Sequence, residues 1–519
     1  MAVESNNNVS DVINLNNQRY SVTIYLINST LRLKIPAGTV NELIITESLN
    51  SIFSTGVLSI NNTGNILENF VSDTNNELNE KTSSQAYMFN SDGKDIFYIS
   101  VKPLDINEAN NSTFPNTTWE LKGYFSIYDE EEMIDNAGGI KTKIFYIRDI
   151  REQLLYETTP QWSTTQPLLE KYKNKINVSQ TSNELRSVPT GTAIKHFLKA
   201  TLPFFVNDSS FASDWSEGAS KVFYTATAND TAYDVLEYLL DQHVSEREDP
   251  CILIAERDDT LSLRSLETYF QNAYNKDTST IGNYVIDAFS ITTASTPHNV
   301  NTANIGERYN LPAGVIHQFD GLTNFSYLNT TNADSSLELT SICVHNYNFL
   351  EKQFNINCKE NHILSARKKF QELYVSKVPG KSPQTIIPLN NFKISNKTIK
   401  NVYSTETSRV NMLVEGRNRI INKTLSLAPC ISFDITGSTA RKPGRFVIMF
   451  LNDNDSSSSF GKIFPGEWLM TNVHHTFLIR KGIYQNTVTC VKPFSIDPII
   501  PEETFNQYQE FYDTNIREV

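Results

Sequence analysis

The chain has 519 residues, room for about three domains. Its formal charge of −13, from 45 Lys and Arg against 58 Asp and Glu, argues against a dedicated nucleic-acid or anionic-membrane binder. Hydrophobic residues at 39% and charged residues at 20% are globular values, and no apolar run approaches the length of a transmembrane helix.

Residues 1–17 are polar and Asn-rich, with neither a basic start nor an apolar stretch. They read as an arm and not as a signal peptide. Period-two alternation then dominates to residue 150. Val22, Ile24 and Leu26 share one face of a predicted strand. Leu31, Leu33 and Ile35 alternate with Arg32 and Lys34 until Pro36, and the pattern recurs at 57–60, 97–101 and 119–127. Such runs, separated by polar turns, predict half-buried antiparallel strands. Residues 72–82 and 107–117 have the composition of loops.

The texture changes near Ile150. Residues 151–156 are short and mixed, and 168–175 could hold a helix. The spacing of Ile194, Phe197 and Leu198 predicts a helix over 193–202. Residues 222–226 look like a strand. A second helix carries Ala232, Val235, Leu236, Leu239 and Leu240 as a stripe, with Asn229 and Asp230 as its expected cap. Asp258 and Asp259 between two apolar runs signal a hairpin.

Alternation returns after Thr278, with strands expected over 284–291, 337–345, 430–435, 445–451, 467–479 and 483–491. A basic, amphipathic helix is expected over 361–374, and 408–422 is a further helix candidate. The expected organisation is a polar arm at 1–17, a β-domain at 18–150, an α+β insert at 151–277, a second β-domain with helical insertions at 278–500, and a tail at 501–519 with aromatics at Phe505, Tyr508, Phe511 and Tyr512. No tandem repeat of domain-building length is present.

Chemistry is sparse. Cys251, Cys343, Cys358, Cys430 and Cys490 are widely separated, odd in number and form no CxxC, so neither a disulfide framework nor a zinc ribbon is expected. His474 and His475 adjoin in a predicted strand and so point to opposite faces, which disfavours a shared metal. Cys343 and His345 share a strand face, but no third ligand stands nearby. Residues 452–455 begin like a calcium loop yet lack its Gly and its closing Glu. The carboxylate run at 129–132 reads as a solvated face. There is no Gly-x-Ser-x-Gly elbow, and the glycines at Gly191 and Gly444 lack phosphate-loop spacing. No catalytic, cofactor-binding or metal residues are assigned, no cofactor is expected, and a structural protein is favoured over an enzyme.

Two stretches carry a resemblance. Residues 42–56, within NELIITESLNSIFSTGVLSINNTGNILENF, give a strand, an acidic-Ser-Leu turn and a further strand. Residues 444–493 give a strand, a polar loop, a strand ending at His475 and Phe477, and a final strand before Pro493. With residues 260–270 and 408–423 between them, the order of elements resembles the baseplate hub protein of contractile-tailed bacteriophages of the T-even type. The resemblance implies a mainly β fold with an α+β insert: two tail-tube-like antiparallel β-barrel domains plus smaller mixed domains. It implies a homotrimeric ring of pseudo-sixfold symmetry that adapts the sixfold tail tube to the threefold central spike and lets DNA pass. Implied partners are the central tail-spike trimer, tail tube or tube-initiator proteins, and tape-measure and baseplate wedge proteins. Specific nucleic-acid binding and a small-molecule substrate are not implied. The place is the virion's tail baseplate, assembled in the host cytoplasm. The competing readings are a polysaccharide-binding or -degrading virion protein, for which a cleft lined by Trp119 or Trp468 with two facing carboxylates would speak, and the hub of a non-viral contractile injection system.

Overall fold

The computed structural model describes residues 11–27, 32–63, 95–104, 120–134, 141–164, 188–218, 221–222, 224–246, 251–257, 259–265, 285–291, 316–318, 323–328, 341–348, 353–360, 399–404, 430–451 and 466–491. Strands dominate, as the alternating pattern requires.

β1 (Asp11–Leu15) and β2 (Gln18–Ile27) form a hairpin, so a strand lies within the segment read as an arm. Its two-residue turn holds Asn16 and Asn17 at φ 49° and 66°. Positive φ at both turn positions matches the right-handed twist of the flanking strands, and asparagine tolerates it better than most residues. β3 (Arg32–Lys34) pairs with the far end of β2. A 3-10 turn, Ala37–Thr39, leads into β4 (Val40–Ser48) and β5 (Thr55–Asn61). β6 (Ile96–Pro103), β7 (Leu121–Ile134) and β8 (Lys141–Asp149) complete the region. In space the order is β1-β2-β6-β7-β8-β5-β4, antiparallel throughout. Val22, Ile24, Leu43, Leu58, Ile99 and Phe145 meet in its core. Burying each such side chain stabilises by roughly 1.5–3 kcal/mol before chain entropy is charged.

The insert begins without a break. α1 (Ile150–Glu157) is capped by the Asp149 carboxylate, which accepts from the Arg151 N–H at 2.9 Å. Sequence periodicity missed this helix because its stripe is only two turns long. β9 (Val188–Pro189), α2 (Thr190–Thr201), β10 (Lys221–Val222), α3 (Ala232–Asp241), β11 (Cys251–Ala255) and β12 (Leu261–Ser265) follow. The cap of α3 is Thr231, not Asn229 or Asp230. Thr231 and Asp234 satisfy each other's backbone N–H groups in a capping box. Asp230 instead accepts from the Thr227 N–H at 2.7 Å and the Tyr224 hydroxyl at 2.8 Å. The insert has its own core, from Ile194, Phe197, Val235 and Leu239 among others, and Phe53 of the β4–β5 loop is sealed inside it.

The last region holds β13 (Val285–Ile291), β14 (Ile316–Gln318), β15 (Thr323–Leu328), β16 (Ser341–Asn348), β17 (Gln353–Glu360), β18 (Ile399–Ser404), β19 (Cys430–Thr436), β20 (Phe446–Leu451), β21 (Gly466–Leu478) and β22 (Ile483–Val491). β16–β18 form a separate three-stranded sheet. β13 runs parallel to β14 and β20, and β16 parallel to β18, so this region is less uniformly antiparallel than the alternation suggested.

The two β-regions are one sheet. β21 pairs with β4 from Asn472↔Ser48 to Phe477↔Leu43, making a 15-stranded sheet among the described residues. The fold is therefore mainly β with an α+β insert. No ladder closes either region into a barrel among the described residues. The first region curls back by a different contact. The Asn16 N–H donates to the Gly482 carbonyl at 2.9 Å, its side chain donates to the Tyr484 carbonyl, and the Tyr20 ring meets Tyr484 edge-on at 5.5 Å. The helices expected over 168–175, 361–374 and 408–422, and the tail, lie outside the described residues. No helix among the described residues is long and apolar enough to cross a membrane.

Candidate functional site

The β4–β21 seam carries a buried polar cluster. Pairing sets His474 opposite Thr46 and His475 opposite Ile45. The histidines face opposite ways, as adjacency in a strand demands. His474 Nδ1 meets the Thr46 hydroxyl at 2.9 Å, whereas His475 is wholly buried.

Around His475 four segments converge. Glu47 of β4 lies at 3.1 Å from its Nε2. The Tyr484 hydroxyl and Asn486 Nδ2 of β22 lie at 2.8 and 2.9 Å from its Nδ1. The Asn486 amide and the tyrosine hydroxyl both donate, so Nδ1 accepts, and Nε2 carries the proton toward Glu47. Arg257, from the β11–β12 turn of the insert, donates its Nε–H to Glu47 at 2.8 Å and Nη2 to the other carboxylate oxygen. Nη2 also reaches the Arg441 carbonyl at 2.7 Å, and Nη1 the Thr439 carbonyl. Arg441 in turn donates to Asn486 Oδ1 at 2.8 Å and to the Thr436 carbonyl at 2.6 Å.

The electrostatics follow from this packing. Burial pushes the Glu47 carboxyl upward, but the Arg257 charge and hydrogen bonds outweigh it and hold the group well below the usual carboxylate range. Burial lowers His475 to about 4; the Glu47 contacts oppose this, and the Arg257 and Arg441 charges reinforce it. Burial drives the Tyr484 phenol far upward. At neutral pH the site is an ion pair, a neutral imidazole and a neutral phenol. It is a clamp that ties the insert turn, the first β-region and the closing strands together. Beside it Lys442 bridges to Glu256 at 2.7 Å.

A second cluster contains a serine, a histidine and a carboxylate. His243 is buried, with Nδ1 at 2.8 Å from the Thr190 hydroxyl and Nε2 at 3.2 Å from the Ser216 hydroxyl. Ser216 donates to Glu246 at 3.0 Å, and Glu246 also accepts the Glu217 and Gly218 N–H groups. In a catalytic triad the acid orients the histidine and the histidine takes the serine proton. Here the serine hydroxyl donates to the acid rather than to the histidine, which is not the arrangement of a triad.

Cavities lie both beside the clamp and away from it. A space of about 50 Å³ beside the clamp, lined by Glu47, Phe53, Phe125, Asp149 and Arg257, suits water rather than substrate. A cleft of about 420 Å³ is lined by Thr159, Gln161, Trp162, Ser163, Thr225 and Thr227 and has no charged residue in its wall. Trp468 is sealed in the core and lines no cleft, while Trp119 lies outside the described residues. No group of three or more metal-ligating side chains occurs among the described residues. The side chains of Cys343 and His345, and residues 452–455, also lie outside what is described. The carboxylates of Asp129, Glu130, Glu131 and Glu132 are exposed on β7.

Sequence reading missed Glu47, Arg257 and Asn486. Two of them left a signal. Glu47 keeps the phase of Leu43 and Ile45, and Asn486 that of Tyr484 and Val488, so each is a polar residue at a core-facing position. Such residues need buried partners. Arg257 sits in a turn, where no periodicity marks it.

No protein-family model and no curated protein matches the sequence. Among solved structures, the chain is similar to a tail protein from Neisseria meningitidis MC58, at 8% identity and a TM-score of 0.44 over 91% of this chain and 96% of that one. It is also similar to the 43 kDa tail protein of prophage MuSo2 from Shewanella oneidensis, at 10% identity and 0.43 over 92% and 100%. A third is an Escherichia coli component of the type VI secretion system, described as structurally similar to the T4 bacteriophage tail proteins gp27 and gp5, at 9% identity and 0.32 over 92% and 79%. The structures the chain is similar to are thus tail and secretion-apparatus proteins. At these values the likeness concerns the course of the chain, and no residue role is transferred.

Proposed function

We propose that the chain is a structural hub subunit of a contractile tail. Three copies form a ring that joins the sixfold tail tube to the threefold central spike and leaves a passage for DNA. One observation carries the reading. A single chain lays two β-regions side by side in one sheet, joined at β4–β21, with the insert bolted to the seam by Arg257. A subunit that presents two sheet units to a ring turns threefold symmetry into six positions, which is the geometry an adaptor needs. The spike trimer and the tube or its initiator would contact opposite faces of that ring, in a virion or in a related injection apparatus.

The subunit works by shape and not by catalysis. Its described Ser, His and carboxylate clusters are consumed by their own hydrogen bonds. The polysaccharide reading has less support, because Trp468 is sealed in the core and Tyr156 and Tyr224 are stacked on Tyr233 and Tyr238 at 4.3 and 4.5 Å, which occupies ring faces a sugar would use. Native mass measurement and particle imaging of the full chain test the proposal. A trimer with six lobes around an opening is the expected result; a monomer at assembly concentrations, or cleavage of a glycan by the purified chain, overturns it.

A further inference from the structure

β16 and β17 pair antiparallel from Ser341↔Glu360 to Asn348↔Gln353, and Cys343 falls directly opposite Cys358. On its other edge β16 runs parallel to β18, with Cys343 opposite Ile399. β16 is thus the central strand of its sheet, and its register is fixed from both sides.

Directly opposed residues of an antiparallel pair share one face, with Cα atoms about 4.5 or 5.5 Å apart according to the pair type. Disulfides span Cα separations of about 4.4–6.8 Å, so either pair type admits one. Neighbouring strands alone would not suffice. Cys430 and Cys490 also lie on adjacent strands, but Cys430 is opposite Val491 and Cys490 opposite Ile431, which sets the two cysteines on opposite faces. Cys251 is opposite Ser265 in a different sheet. Among the described residues, Cys343 and Cys358 are the cysteines that register makes partners.

We propose that Cys343 and Cys358 are a redox pair that closes as a cross-strand disulfide and clips β17 to β16. The oxidant is a low-molecular-weight disulfide of the glutathione type. One cysteine thiolate attacks a sulfur of that disulfide and expels a small thiolate; the other attacks the protein sulfur of the mixed disulfide and expels the second. Two cysteine thiols lose two protons and two electrons, and the small disulfide, taking them up, becomes two thiols. A reducing cytosol keeps the pair open, and oxidising surroundings close it. The second step is intramolecular, at an effective concentration set by the strand pairing. The pair holds whether or not the chain is a hub.

The test treats the full reduced chain with excess glutathione disulfide and maps the products by non-reducing peptide mass spectrometry. A linked Cys343–Cys358 peptide is expected, two hydrogens lighter than its reduced form. The two cysteines are 15 positions apart, so an unfolded chain also brings them together, and the same reaction is run in urea. The effective concentration of the second thiol should be at least tenfold higher in the native chain; an equal value would show that register does not set the pair and would overturn the proposal. Hydrogen exchange over 341–348 and 353–360 should slow on oxidation of the native chain and stay unchanged in Cys343→Ser, whose fold circular dichroism checks. No closure, glutathione retained on both cysteines, or a link to a second chain would each overturn the proposal. So would one zinc ion held by the reduced chain and lost in Cys343→Ser, because His345 shares the face of Cys343 and the residues would then be metal ligands.

Discussion

Arg257 and Glu47 stand 210 positions apart and meet through both carboxylate oxygens at the buried junction of the insert with the first β-region. The pairing fixes where the insert turn sits on the β4–β21 seam, because the same guanidinium also holds the Thr439 and Arg441 carbonyls.

Breaking this pair from one side is therefore expected to cost more than replacing both sides. Arg257→Met alone leaves Glu47 buried without its counter-charge and should lower stability by about 3–5 kcal/mol. Adding Glu47→Gln should recover a substantial part of that loss. Denaturant titration of both variants checks the order, and a double variant weaker than the single one would contradict it.

Acid should loosen the clamp in a defined window. His475 is held near 4 in the folded chain, below the ordinary histidine value of 6.5. Between those two values the unfolded chain binds a proton that the folded chain does not, so stability falls as pH drops from 6.5 to 4, by on the order of 3 kcal/mol. Glu47, held lower still, loses its contribution only at more acidic pH. Melting curves across this range for the native chain and for His475→Gln check the sign; the variant should lose most of the slope.

Much of the strand layout was legible because alternation is local. Val22, Ile24 and Leu26, or Val473, His475 and Phe477, announce their faces within a few residues. What the alternation could not show is that β4 and β21 are neighbours, since nothing in either strand names a partner 428 positions away. Nor could it show the clamp as a unit. His475 was visible as a histidine in a strand, but its meaning rests on Arg257, a turn residue with no pattern around it. The short helix at Ile150–Glu157 escaped for want of turns.

The closing strands complete the first core. Phe477, Ile479 and Tyr484 pack among the side chains of β2, β4 and β5, and the Phe477 and Tyr484 rings stack at 4.0 Å. Phe477→Ala should cost about 3–5 kcal/mol. Hydrogen exchange should quicken in β4 and β5 as well as in β21; a change confined to β21 would contradict the shared core.

Gly437 lies against the face of Tyr484, and a β-carbon there would collide with the ring. Gly437→Ala should destabilise by about 1–3 kcal/mol through overpacking. Tyr484→Leu in the same chain should relieve part of the collision, a compensation that paired melting measurements detect.

The seam also sets a timetable for synthesis. β4 leaves the ribosome long before the strand that covers it, and a 428-residue interval at roughly 5–20 residues per second leaves it waiting roughly 20–85 s. Through that interval one edge of β4 faces solvent, because only its β5 side is paired, so newly made chains should depend on holding chaperones until translation ends.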